Sequence, residues 1–337
     1  MDREREIIRI MLDALIEGES PAHPYFSRDA EQFGIAGRKF LFSTDEFSGE
    51  DMFRDHDLFT LGWNLATATI SDIYASGGIP KFFGHSVSVQ PDWNNEKIST
   101  LSSGIAACLK QNGVTFIGGD LGFSDAWHYT GIVLGEAHQP VNRMGARPGD
   151  LIYMTGTVGN GNLEAALMLF ANLPVMKMLP EGLTVRVPMR KAESELIGGL
   201  ASCCIDTSDG VLRALQTIAE LNRTGFKISG LPYSPEGLLV TRMLGISEEL
   251  LFMGESGEYE LLFTIPEERE GELLRKARLQ KLIFTKIGTI TGAADQLLEE
   301  NGKTLDLQKF RISARDFPDV NAYLEKLAKT LHDEKHK

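Results

Sequence analysis

Carboxylates in this chain recur beside small, hydroxylated or flexible residues. They read Arg28-Asp29-Ala30, Ser43-Thr44-Asp45, Ser71-Asp72, Gly118-Gly119-Asp120 and Asp206-Thr207-Ser208-Asp209, followed by Gly254-Glu255-Ser256-Gly257-Glu258-Tyr259-Glu260. The set spans roughly 230 residues, and most members sit at the end of an apolar run or the start of a periodic one. Hard cations such as Mg²⁺ take oxygen ligands and bridge to substrate phosphates, so carboxylates drawn from several loops are what such a site requires. A single Ser-Asp pair is an ordinary turn or helix cap. The signal lies in the whole ordered set.

The elements that must position these groups follow from the hydrophobic pattern. Residues 37–45 read as a strand ending at Asp45. Residues 59–76 read as a helix with Leu61, Leu65, Thr69 and Ile73 on one face, which makes Ser71 and Asp72 polar groups on a packed helix. Residues 82–89 alternate as a strand, 95–112 suit a helix, Val114 to Ile117 is a short strand running into Gly118-Gly119-Asp120, and 128–137 is another strand. A turn-rich basic stretch, 141–150, opens a second unit. There, 151–155 is a strand, 162–170 a helix, 192–200 a helix, 201–205 a strand, 211–222 a helix and 261–265 a strand. Gly156-Thr157-Val158-Gly159-Asn160-Gly161 imitates a dinucleotide-binding fingerprint, but Val158 occupies its second glycine position. It reads as a strand-to-helix turn able to sit near an anion. The expected units are 1–140, 141–325 and a charged helical tail, 326–337.

The chain has 337 residues, 42% of them hydrophobic, enough for two cores at about 150 residues per domain. With 34 basic and 47 acidic residues its net charge is −13, unsuited to general binding of nucleic acid or an anionic membrane. A phosphorylated small molecule remains compatible, because a bound divalent cation can outweigh the average charge. Cys108, Cys203 and Cys204 form neither a disulfide framework nor a zinc spacing and read as buried packing residues. The N-terminus is charged and then amphipathic through Ile8, Met11, Leu12, Leu15 and Ile16, with no signal peptide and no membrane-spanning run. The expected location is the cytoplasm. Trp63 and Tyr259 read as packing residues, and His85 and His128 as structural or exposed ones.

Taken in order, the motifs resemble the thiamine-monophosphate kinases, within the superfamily of aminoimidazole ribonucleotide synthetase (PurM-like proteins). The resemblance runs from about residue 6 to about residue 310. It rests on Phe42-Ser43-Thr44-Asp45, Leu61-Gly62-Trp63-Asn64 with Ser71-Asp72, Gly118-Gly119-Asp120, the 142–150 segment, Ile205-Asp206-Thr207-Ser208-Asp209-Gly210 and Gly257-Glu258-Tyr259-Glu260-Leu261-Leu262-Phe263-Thr264. It implies a two-domain α/β (α+β) fold. The N-terminal sheet would pair across a homodimer into a barrel, and the C-terminal domain would be an α/β sandwich. It implies ATP as co-substrate, Mg²⁺ as cofactor and a phosphorylated small-molecule acceptor. Asp29, Ser43, Asp45, Asp72, Asp120, Asp206 and Asp209 would hold metal, with Asp72, Asp120 and Asp209 carrying the reaction. Thr44, Gly119, Asp120, Arg143 and Ser208 would contact the nucleotide, and Glu258 would lie on the acceptor side. Phosphoryl transfer between phosphates needs positioning and charge stabilisation more than a general base, and a guanidinium such as that of Arg143 suits a phosphate.

The chain also departs from that pattern. Where the family has two adjacent aspartates it has Arg28-Asp29, aligned by the separation of 16 positions from Asp29 to Asp45. The family's substrate-contacting His after the second motif is missing: the segment reads Glu46-Phe47-Ser48-Gly49-Glu50-Asp51-Met52-Phe53. Phe310 and Phe317 both stand as candidates for the C-terminal aromatic that stacks on the substrate ring. Alternatives are therefore another ATP-dependent enzyme of the superfamily with a different acceptor, or a nucleotide-binding protein without turnover.

Overall fold

The computed structural model describes residues 3–15, 26–179, 183–300 and 302–336. Ile16, on the expected apolar face of the first helix, and Lys337 lie outside these residues. Helix α1 (Arg3–Leu15) precedes a five-stranded sheet made of β1 (Glu31–Ile35), β2 (Arg38–Ser48), β3 (Ile79–Val89), β4 (Thr115–Phe123) and β5 (His128–Glu136), in the order β1-β2-β5-β3-β4. Helices α2 (Leu58–Ala75) and α3 (Asn95–Asn112) pack on one of its faces.

Helix α2 starts because the Asp57 carboxylate accepts the N–H groups of Phe59 and Thr60, which would otherwise be orphaned in the first turn. It lies unusually close to α3. A Cβ placed on Gly62 would come within 2.1 Å of the Leu101 carbonyl oxygen, and one on Gly104 within 2.0 Å of that of Phe59. Small residues at this crossing are what bring α2 into the centre of the molecule, with most of its surface buried.

The second sheet contains β6 (Leu151–Thr155), β7 (Cys203–Asp206), β8 (Gly225–Ile228), β9 (Leu261–Ile265), β10 (Phe284–Thr291), β11 (Gln296–Glu300) and β12 (Lys303–Asp306), in the order β12-β11-β8-β10-β6-β9-β7. Around it lie α4 (Asn160–Leu169), α5 (Lys191–Ile197), α6 (Val211–Asn222), α7 (Pro235–Leu244), α8 (Leu250–Met253), α9 (Glu270–Gln280) and α10 (Val320–Lys335). The strands of the first sheet lie within residues 31–136 and those of the second within 151–306. The fold is thus mixed α/β with two sheets.

The largest apolar cluster joins both units. Leu65, Ile73 and Tyr129 belong to the same packed group as Leu196, Leu261 and Phe263. A second cluster lies wholly within the C-terminal unit and includes Leu327 and Leu331 of α10, each 2% exposed. Leu327 and Leu331, within the segment read as a charged helical tail, thus dock α10 on that core.

Two strands run further than expected. Strand β2 continues to Ser48, so Asp45 lies inside it. Strand β4 passes through Gly118-Gly119-Asp120 to Phe123, because the register against β3 slips by one residue at Ile117 and Gly118 absorbs the bulge at φ 140°.

Candidate metal centre and adjoining cleft

Asp29, Asp72 and Asp206 each contribute a carboxylate oxygen to a group whose members all lie within 4.8 Å of one another. They arrive from three places. Asp72 stands on central α2, Asp206 ends the edge strand β7, and Asp29 sits in the loop before β1. That loop is tied down where the Ala30 N–H donates to Ser76 and the Arg143 N–H to the Ser27 carbonyl. Around the group, the Ser71 hydroxyl donates to Asp206 at 2.7 Å, the Ser208 hydroxyl donates to its other oxygen at 2.9 Å, and Ser43 donates to Asp72.

Arg143 donates to Asp29 through Nε (3.0 Å) and Nη2 (2.8 Å), and both bonds fall on Oδ1. Oδ2 of Asp29 is buried without a hydrogen-bond partner. A buried carboxylate oxygen left so is costly, whereas an oxygen-seeking divalent cation would satisfy it. The all-oxygen donor set and this orphaned atom fit Mg²⁺.

The electrostatics agree with an unneutralised anionic centre. Burial, then the charges of Asp45, Asp206 and Asp29, hold the Asp72 carboxyl well above the usual range despite the Ser43 hydroxyl. Asp206 is pushed up to about 6 by burial and Asp29. Asp45 is raised to about 7 by burial, then Asp206 and Asp29, with Arg143 opposing. Asp29 is raised by burial against the pull of Arg143. Asp45 therefore belongs to the same field, on the same inward-facing alternation of β2 as Ser43.

Other expected site residues fall elsewhere. Asp45, Gly131, His85 and Gly119 form one row across β2, β5, β3 and β4. Three strand spacings put Gly119, and Asp120 beside it, about 14 Å from Asp45, on an exposed edge strand. Within one chain Asp120 is not part of the carboxylate group. Thr44 is exposed on β2. Arg143, with 19% of its side chain exposed, is committed to Asp29.

Glu258 is turned away from open space. Its two oxygens accept the N–H groups of Gly159 (2.8 Å) and Gly161 (3.0 Å) at the start of α4, and burial raises its carboxyl to about 8. The hydrogen-bond acceptor at the 156–161 turn is thus the protein's own carboxyl group. Asp206 does not cap the next helix; Gly210 occupies that position. Arg28 keeps a buried Nε without a hydrogen-bond partner. The three cysteines are buried and unpaired, as expected.

Beside the carboxylates opens a cleft of about 1080 Å³ between the two units. Ser208 and Asp209 stand on one side. The 46–52 segment, which departs from the family pattern, forms another, and Glu255 with α10 faces them. That segment is firmly seated. Phe53 stacks on Tyr259 at 6.0 Å, and Arg54 pairs with Glu164 of α4 at 2.7 Å. Phe317 lines the cleft, whereas Phe310 is buried in the second core. Sequence reasoning missed Arg213 and Arg315, both of which line the cleft. Arg213 falls within one helical turn of Asp209, a proximity visible in the sequence, but no signal there showed the cleft into which both would face.

The AIR synthase related protein N-terminal domain model matches residues 28–137. The thiamine-monophosphate kinase of Archaeoglobus fulgidus is 24% identical over 288 residues, covering 85% of this chain and 93% of that protein. The thiamine-monophosphate kinase of Methanospirillum hungatei is 31% identical over 215 residues, covering 62% and 68%. Among solved structures, AaThiL complexed with AMPPCP and TMP superposes with a TM-score of 0.75 at 23% identity, over 90% of this chain and 96% of that one. At the identity and coverage of the Methanospirillum hungatei protein, the chain belongs to the thiamine-monophosphate kinase family.

Proposed function

We propose that the protein transfers the γ-phosphoryl group of ATP to thiamine monophosphate, yielding thiamine diphosphate and ADP, with Mg²⁺ as cofactor. The observation that carries this reading is the converging trio Asp29, Asp72 and Asp206, the first two half-buried and the third buried, with Asp29 Oδ2 unsatisfied, beside a cleft large enough for a small-molecule acceptor. Asp29, Asp45, Asp72 and Asp206 hold the metal, and Ser43 and Ser71 orient two of these carboxylates through their hydroxyls. Bound Mg²⁺ supplies positive charge that neutralises and aligns the ATP phosphates. Asp209, facing the cleft, adds its carboxylate to the metal's ligands, and Ser208 beside it contacts the nucleotide. Arg143 acts through Asp29 by fixing its orientation. Of the two expected aromatics, Phe317 is the one that lines the cleft, where it would stack on the acceptor ring.

Two further parts of the reading concern assembly. The edge strand β4 exposes Phe116, Ile117, Leu121 and Phe123, the last at 70%. Such an apolar edge invites pairing, which supports a homodimer whose sheets close into a barrel and carry Gly119 and Asp120 to the nucleotide. The unit boundary lies near residue 140, and the cytoplasm is the compartment in which ATP and the acceptor meet the enzyme. Among the described residues no helix is long and apolar enough to cross a membrane.

The test is direct. Purified protein with ATP, Mg²⁺ and thiamine monophosphate should give thiamine diphosphate, separated by chromatography. ATP turnover on a different acceptor, with no diphosphate formed, would refute the substrate and favour the second reading. That reading, a superfamily enzyme with another acceptor, draws on the absence of His from the 46–53 segment and on the carboxylates Glu46, Glu50 and Asp51 in its place.

A further inference from the structure

The cleft presents an electrostatic problem to any phosphorylated acceptor. Among the described residues its lining carries seven carboxylate side chains against two arginines and no lysine. Metal bound at the aspartate group offsets the charge on one side only. An acceptor phosphate, itself an anion, needs a cation beside the point of transfer, and the family's histidine is missing from the 46–53 segment.

The two arginines are placed differently. Arg315 lines the cleft next to Ala314, and its charge acts on Asp51, lowering a carboxyl that burial raises. Arg213 stands in the first turn of α6, four residues after Asp209, and lines the cleft together with Ser208 and Asp209. Its charge and that of Asp209 both act on Glu255, in opposite directions, on a carboxyl raised chiefly by burial. Arg213 is therefore the cation set between the metal-side aspartate and the open cleft. The amino end of α6 beside it has no side-chain cap, so the helix adds positive potential at the same place.

We infer that Arg213 ligates the phosphate of the acceptor and sets specificity for a phosphorylated substrate. This rests on the proposed kinase reading and names the residue that recognises the acceptor's anionic end. A guanidinium has five N–H donors in a planar fork. It can keep Glu255 as a neighbour while offering a bidentate face to phosphate oxygens.

The experiment titrates the full-length protein, saturated with Mg²⁺ and AMPPCP, with thiamine monophosphate, with unphosphorylated thiamine and with inorganic phosphate. Thermal melting checks the fold of each variant. Arg213→Gln should weaken thiamine monophosphate binding about 10- to 100-fold, the loss expected for a charge-assisted phosphate contact. It should leave thiamine binding and the KM for ATP unchanged, and Arg213→Lys should recover part of the loss. Equal weakening for thiamine and thiamine monophosphate would make Arg213 a structural residue and overturn the inference, as would wild-type affinity in the Gln variant. If Arg213→Gln fails to fold, Arg213→Lys decides: wild-type affinity for both phosphorylated probes together with an unchanged KM would overturn it. Wild-type protein that ignores thiamine monophosphate would sink the kinase reading instead. Inorganic phosphate then decides for Arg213, weaker binding in the variant supporting it and equal binding refuting it.

Discussion

Arg143 places two donors on a single oxygen of Asp29. Nε and Nη2 reach Oδ1 at 3.0 and 2.8 Å, and Oδ2 is left buried without a partner. An arginine facing an isolated carboxylate commonly spreads its fork over both oxygens. Here one oxygen is neutralised and the other is kept available beside Asp72 and Asp206. The pair is thus both an anchor for the 26–30 loop and half of a cation site.

Removing the anchor should therefore cost stability as well as function. Arg143→Ala leaves the Asp29 carboxylate buried and uncompensated, and urea denaturation should show a loss of about 3–5 kcal/mol. Adding Asp29→Asn to that variant should restore much of it. A double variant no more stable than the single one would show that Asp29 is not the source of the loss.

Asp72→Asn separates function from stability. Even an indirect partner of a metal ligand can cost about 10- to 100-fold in affinity or activity, so this variant should lose activity by at least that upper figure. Its metal-free melting temperature should hold or rise, because one member of a mutually repelling group is gone. Activity near wild type would remove Asp72 from the centre.

The raised carboxyls set a pH dependence. Asp45 is raised to about 7 and Asp206 to about 6 from an ordinary value of 3.8. Between about pH 4 and 7 the folded state binds more protons than the unfolded chain, so these groups lower stability as pH rises, fully so above pH 7. In EDTA, the melting temperature of wild type relative to Asp45→Asn should fall from pH 5 to pH 7.5. Mg²⁺ should raise wild-type stability more at pH 7.5 than at pH 5, because at the lower pH it must displace protons. A Mg²⁺ increment independent of pH would contradict the assignment.

Phe53 holds the substituted 46–53 segment in place, its ring 5.9 Å from Phe47 and 6.0 Å from Tyr259. Phe53→Ala should destabilise by about 3–5 kcal/mol. It should also raise the KM for the acceptor more than that for ATP, since the segment walls the cleft. Steady-state kinetics with each substrate varied in turn would check this.

Glu258→Gln tests where that carboxylate acts. Replacing an oxygen that accepts an N–H from α4 with an amide NH₂ opposes two donors, at about 1–3 kcal/mol. Thermal melting should show the loss while the acceptor KM stays near wild type. A selective rise in that KM would return Glu258 to the acceptor side.

Much of this architecture is legible in the chain. Helices α2, α3 and α6 and strands β6 and β9 are long periodic or continuous apolar runs, whose pattern is the direct imprint of a buried face. Strands β8 and β10 to β12 and helices α7 to α9 are not, because they are short or mixed and owe their form to neighbours. Asp120 and Glu258 stand apart from the carboxylate group within one chain for one reason: a motif shows which residue type is present, while direction and distance come from packing. A bulge at Ile117 carries Asp120 along an exposed strand, and the uncapped turn before α4 claims Glu258.

The sequence by itself determined that acids would stand beside Ser, Thr and Gly at the ends of apolar elements, and in the family's order, since local pattern and composition are properties of the chain alone. Only the tertiary structure decided which of them meet. Asp29 and Asp206 are 177 residues apart, and nothing local relates them. They converge because the Gly62–Gly104 crossing draws α2 to the centre, and there Ser71 reaches across to the last residue of β7. Packing also selected Phe317 over Phe310 for the cleft and brought Arg213 to face it. Burial, which depends on every neighbour at once, then turned ordinary aspartates into a crowded group whose ionisation is costly until a cation offsets it.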